Sequence, residues 1–125
     1  MKRRAIVWAL GLAFVATVSA SPGDTAQVVS IIMDGTFFLE PANVRFVIAV
    51  EPHEENRTLW VEADSGALFR ASEVTLDGAS EKRLHPFVFK SLPGGRYTLR
   101  AEVRSRSDVR GLATREIVIT GREPG

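Results

Sequence analysis

The sequence predicts an all-β fold, a single antiparallel sandwich of seven or eight short strands behind an N-terminal export signal. Three observations carry the prediction. Short runs rich in Val, Ile, Phe, Thr and Leu recur, with turn clusters every 8–12 residues or so. Several runs alternate apolar and polar residues with period two, the mark of a strand with one wet face. No long segment places apolar residues at i, i+3, i+4 and i+7, so helix signals are nearly absent.

The chain opens on Met1-Lys2-Arg3-Arg4, and an almost unbroken apolar run follows from Ala5 to Val18. That run closes at Val18-Ser19-Ala20, with small residues where a signal peptidase reads. A basic start, a short apolar middle and a small-x-small exit describe a secretory signal peptide over residues 1–20. A retained anchor needs about 20 apolar residues, and this run is shorter. The expectation is cleavage after Ala20, no stable membrane span afterwards, and a periplasmic or secreted protein. Residues 21–26 read as a short linker, 27–121 as the sandwich and 122–125 as a disordered tail.

Cleavage changes the charge. The whole chain carries 16 basic and 15 acidic residues, a net +1. The signal holds three of the basic residues and none of the acids, so the remainder carries 13 against 15, a net −2. Basic character therefore belongs to the discarded segment, and nucleic-acid binding loses the footprint it needs. About a hundred residues remain, enough for one domain with a real core. The absence of cysteine excludes a lipid-modified cysteine anchor, and it favours a bacterial envelope protein over a disulfide-bearing eukaryotic one.

The elements follow in order. Gln27 to Met33 reads as a first strand, closed by Asp34-Gly35, and Thr36 to Leu39 as a short extended piece stopped by Glu40-Pro41. Asn43 to Glu51 alternates cleanly, with Val44, Phe46, Ile48 and Val50 on one face. Arg57 to Asp64 sets Leu59, Val61 and Ala63 against Thr58, Trp60 and Glu62. Ala67 to Leu76 gives a strand or two before Asp77-Gly78-Ala79-Ser80. Leu84 to Leu92 precedes Pro93-Gly94-Gly95. In Arg96 to Ser105, Tyr97, Leu99, Ala101 and Val103 share one face. Arg110 to Thr120 is the last strand, with Ala113, Ile117 and Ile119 facing inward.

The stretch Leu92-Pro93-Gly94-Gly95-Arg96-Tyr97 resembles the tight corner before the penultimate strand of immunoglobulin-like and fibronectin-type-III-like sandwiches. The resemblance implies that the Tyr97 hydroxyl bonds back to backbone a few residues upstream. Leu92, Gly94, Gly95 and Tyr97 would form this structural corner. With Phe89, the segment is also similar to the Phe-x-x-Leu-Pro-x-Gly-x-Tyr stretch of carboxypeptidase-regulatory-like modules. The glycine-led opening strand of those modules has no counterpart near Gln27 to Met33, so the immunoglobulin-like superfamily is the broader label retained. The cysteine pair of antibody-type domains is missing. Trp60 falls on the outward parity of its strand, where that family's core tryptophan points inward. Either the register shifts by one or Trp60 is not the family tryptophan.

Candidate chemistry is sparse. The densest polar cluster is Glu51-Pro52-His53-Glu54-Glu55-Asn56, which suggests, as the rival reading, a small metal-dependent hydrolase centred on the 51–56 loop. Its spacing matches none of the known calcium or zinc patterns, and a solvated loop is the plainer account. His85 is isolated beside Pro86 and reads as structural or exposed. No serine sits in a Gly-x-Ser-x-Gly elbow. Asn56-Arg57-Thr58 fits a glycosylation acceptor, a coincidence in a bacterial chain. No catalytic residue, metal site or cofactor is assigned.

The positive expectation is a binding face. If the Trp60 strand lies beside those of Tyr97 and Ile117, one outer surface carries Thr58, Trp60, Glu62, Thr98, Arg100, Glu102, Arg104, Thr114, Glu116 and Val118. Trp60 with Arg100, Glu102 and Arg104 is the candidate contact set, since tryptophan and arginine dominate partner hot spots. The plainer alternative is a solvated face in which Glu102 and Glu116 pair with arginines across strands. The function expected is an exported, non-catalytic binding or assembly module, its partner another envelope protein or a glycan, engaged by a face or an open edge strand.

Overall fold

The computed structural model describes residues 27–121, so the expected signal (1–20), linker (21–26) and tail (122–125) lie outside the described residues. Eight strands form: β1 (Val29–Ile32), β2 (Phe37–Leu39), β3 (Ala42–Val50), β4 (Thr58–Asp64), β5 (Phe69–Thr75), β6 (Leu84–Leu92), β7 (Gly95–Arg104) and β8 (Val109–Thr120). The Asp77 cluster holds a short 3-10 turn, Gly78–Ser80. Two sheets face each other, one ordered β1-β3-β6 and the other β2-β8-β7-β4-β5. This is an all-β sandwich.

The period-two pattern decides what is buried. Val44, Phe46, Ile48 and Val50 from β3 meet Leu59, Val61 and Ala63 from β4 and Tyr97, Leu99, Ala101 and Val103 from β7, all of them buried. Phe46 stacks against Phe87 and tilts against Phe89, both at 5.7 Å between ring centroids. Such alternation fixes register, because a one-residue slip would turn each of these faces into water.

One feature departs from the expected all-antiparallel arrangement. Asp34-Gly35 does not fold the chain into a hairpin but carries it from one sheet to the other. There β2 lies parallel to β8, Phe37–Leu39 opposite Val118–Thr120. The opening strand is thus split between the sheets. β1 covers only the Val47–Val50 part of β3, and β2 covers only the last three residues of β8. Besides the outer sides of the edge strands β1, β2, β5 and β6, two segments lack a neighbour on one side, Ala42–Phe46 of β3 and the first part of β8.

The start of β1 is seated on Gly111 of β8. A Cβ there would lie 2.6 Å from Val28 Cβ and 3.2 Å from Val29 Cγ1, so the glycine permits the sheets to close. Gly111→Ala is expected to lower stability by about 1 kcal/mol through overpacking. The measurement is a urea midpoint that falls while the denaturant slope stays unchanged.

Candidate binding face

The candidate residues come together on the outer side of the five-stranded sheet. Register puts Trp60 opposite Glu102, Thr58 opposite Arg104 and Glu62 opposite Arg100. On the far side of β7, Glu102 lies opposite Leu112 and Arg100 opposite Thr114. The Arg-x-Glu-x-Arg spacing on one strand places all three charged groups on a single face. Trp60 points outward, so it is not a core tryptophan.

Glu102 sits at the centre and is almost completely covered, its side chain only 8% exposed. Arg100 brings Nε to 2.7 Å and Nη2 to 2.6 Å of Glu102 Oε2. Arg104 brings Nε to 2.9 Å and Nη2 to 2.8 Å of Oε1. Each carboxylate oxygen is therefore held by one guanidinium. Burial alone would push this carboxyl up. Hydrogen bonds from Arg104 and Arg100, with their positive charge, outweigh it and hold the group below the ordinary glutamate range.

Trp60 joins the same network. The Arg104 guanidinium lies 5.1 Å above its ring centroid, and its indole Nε1–H donates to Glu62 Oε1 at 2.7 Å. Both contacts fix the half-buried ring. Glu73 stands opposite Trp60 on β5. The patch thus sets three carboxylates against two guanidiniums and has no strong pull on an anion. What it offers a partner is a fixed indole, with the half-exposed Leu112 nearby. Glu116 behaves differently from Glu102. It meets Arg96 at 3.8 Å with both side chains well exposed, a contact of little energetic weight.

At the other predicted feature, Tyr97 is fully buried and its hydroxyl donates to Pro93 O at 2.8 Å. Leu92 is buried beneath the turn. Gly94 donates its N–H to Glu40 Oε1. A Cβ on Gly94 would lie 2.8 Å from that oxygen and 3.1 Å from the Gly121 backbone, so a larger residue would have to displace Glu40 and press on Gly121.

The 51–56 loop is organised around a residue whose burial the sequence does not mark. Asn56 is fully buried. Its Nδ2 donates to Glu51 O at 3.0 Å, and its Oδ1 accepts from Arg110 Nη1. Both ends of the amide are thus engaged inside the fold. His53, Glu54 and Glu55 are all exposed, with His53 Nδ1 accepting the Glu55 N–H at 3.0 Å. Among the described residues no three His, Asp or Glu side chains gather as metal ligands. His85 is buried, its Nε2 3.1 Å from Lys82 O.

Two further arginines occupy inward positions on exposed strand edges. Arg70, opposite Ala63, bonds Lys90 O across the sandwich at 2.7 Å. Arg115, opposite Leu99, reaches Ile31 O at 3.4 Å. An inward charge on an edge strand discourages a foreign strand from docking there, because docking would bury it.

Comparison with known proteins places the fold. No family model matches the sequence, and no curated protein does. Among solved structures the chain is similar to a superoxide reductase (neelaredoxin) from Ignicoccus hospitalis. Identity is 13%, coverage 83% of this chain and 87% of that one, and the TM-score 0.52. It is also similar to the CARDB domain of a Pyrococcus furiosus protein, solved in complex with di-metal ions. There identity is 15%, coverage 76% of this chain and 93% of that one, and the TM-score 0.52. At such identities the likeness concerns fold alone: an immunoglobulin-like β-sandwich.

Proposed function

We propose that the chain is an exported, non-catalytic binding or assembly module of the bacterial envelope, a fibronectin-type-III-like domain acting in the periplasm or outside the cell. The N-terminal basic-apolar-small pattern supports export. The observation that carries the binding role is Trp60, an indole fixed by Arg104 and Glu62 in the middle of a sheet face. A large aromatic already held in one orientation loses little freedom when a partner covers it, which favours association. Arg70 and Arg115 discourage pairing along β5 and β8, which leaves the outer face of that sheet as its broad contact surface. The partner is another envelope protein or a glycan.

Two measurements test this reading. Intact mass of protein recovered from the native host is expected to begin at Ser21, and a retained Met1 would overturn the placement. Affinity capture from the native envelope is expected to recover a partner with the wild type and lose it with Trp60→Ala. Identical partner sets would remove the Trp60 face from consideration.

A further inference from the structure

Arg70 and Arg115 do not reach every unpaired strand side. Beside Ala42–Phe46, where β3 has β6 on one side and no strand on the other, lies a groove of about 610 Å³. Its walls include Ile32, Met33, Phe37 and Phe38 from the split opening strand, Asp34 from the connection between its halves, and Arg45 and Phe46 from β3. We propose that this groove receives an extended peptide from a partner, one with alternating apolar and acidic residues, which adds a strand to the bare side of β3. The proposal concerns a surface distinct from the Trp60 face and does not depend on it.

The ladder shows what the groove offers. Val50 N–H donates to Arg83 O and Glu51 N–H to Val28 O. Even-numbered residues of β3 therefore aim their backbone groups at β6, and odd-numbered ones aim at the β1 side. Past the end of β1, Asn43 and Arg45 direct their N–H and C=O into the groove. The bare stretch is five residues, about 17 Å of strand. Strand addition uses such main-chain groups for affinity and alternate side-chain pockets for specificity.

Side-chain chemistry sets the peptide's character. A strand added here would turn alternate residues inward, toward Phe38 and Phe46, and the others outward, beside Arg45. Arg45 is exposed and takes part in no ion pair or side-chain hydrogen bond among the described residues. An apolar residue suits the first position and a carboxylate the second. The corresponding slot on β8, about 590 Å³ between Gln27–Ile31 and Arg110–Arg115, differs at this point. There an incoming strand would bury Arg115 and break its contact with Ile31 O. The charged residues of the β3 groove, Asp34 and Arg45, are both exposed, so an incoming strand would bury neither, which is why the proposal falls there.

The test uses the chain from Ser21 onward and a capped hexapeptide of alternating valine and glutamate, followed by amide chemical shifts. Saturable shifts are expected at Ile32–Phe38 and Asn43–Val47. Methylating the peptide nitrogens on its bonding edge is expected to abolish binding. Arg45→Glu should weaken it about tenfold, the scale of one lost charge contact, and should favour a valine-lysine peptide instead. Gly35 lines the groove with open space around its Cβ position, so Gly35→Trp should plug the groove without disturbing the fold. No saturable binding, equal binding of the methylated peptide, or unchanged binding to Gly35→Trp would overturn the proposal. So would shifts confined to β5, β8 or the Trp60 face. Concentration-dependent shifts at the groove without peptide would assign it to a second copy of the chain, which also overturns the choice of occupant.

Discussion

Tyr97→Ala is expected to lower the unfolding free energy by about 3–5 kcal/mol, the range for deleting a large buried aromatic. Against a typical total of about 5–15 kcal/mol, that is enough to leave a substantial unfolded fraction. The ring is fully buried and pairs with Ile117 across the β7–β8 ladder. Its edge also underlies the turn, since a Cβ on Gly95 would lie 3.4 Å from Tyr97 Cε1. Tyr97→Phe separates the ring from the hydroxyl. It removes only the bond to Pro93 O, and because Pro93 is exposed, water can take over that carbonyl. The expected cost is about 1 kcal/mol. Urea unfolding of both variants is the check. Equal losses would mean that the hydroxyl bond, and not ring burial, holds the corner. No loss in Tyr97→Phe would mean that the corner is set by the glycines and Glu40.

The contrast shows which parts of the molecule are written locally. Facing in β3, β4 and β7 is legible because a period of two is a property of neighbouring residues. The corner is legible because Leu92 to Tyr97 carries its own turn chemistry and its own hydrogen bond. Strand partnership is not, since it depends on contacts between distant segments. Asp34-Gly35 looks the same whether it closes a hairpin or passes the chain between sheets, so both grooves left by the split opening strand stay hidden in the sequence. Asn56 is obscured for a related reason. Nothing in Glu51 to Arg57 shows that Arg110, 54 positions away, supplies the donor that allows the amide to be buried. The outer face is legible as a set of residues, but its depth is not. Outward parity suggests an exposed Glu102, whereas Arg100 and Arg104 close over it, with Trp60 and Leu112 opposite on the neighbouring strands.

That covered carboxylate gives the second large effect. Glu102→Gln keeps the shape and removes the charge. Both carboxylate oxygens face guanidinium donors, so the new amide must direct its own N–H groups at one of them. Breaking a fully buried ion pair costs about 3–5 kcal/mol, and an exposed pair contributes about 0–1 kcal/mol. Arg100 and Arg104 are 40% and 38% exposed, so water recovers part of the loss, and about 2 kcal/mol is expected at neutral pH. Acid should shrink this difference. The Glu102 carboxyl ionises more readily in the fold than in the unfolded chain, so its contribution is complete above the ordinary glutamate range. It falls away as the pH drops through the group's own lower value. Protonated Glu102 then resembles glutamine, with one donor turned toward an arginine. Urea unfolding of wild type and variant between neutral pH and the acid limit should therefore give two curves that converge on acidification. Parallel curves would show that the loss comes from packing and not from the ionised pair. Trp60 fluorescence adds a local readout, since Arg104 lies over its ring and is expected to shift when Glu102 no longer holds it. A spectrum that changes in the variant at neutral pH, before any unfolding, would tie the buried carboxylate to the orientation of the indole on the proposed binding face.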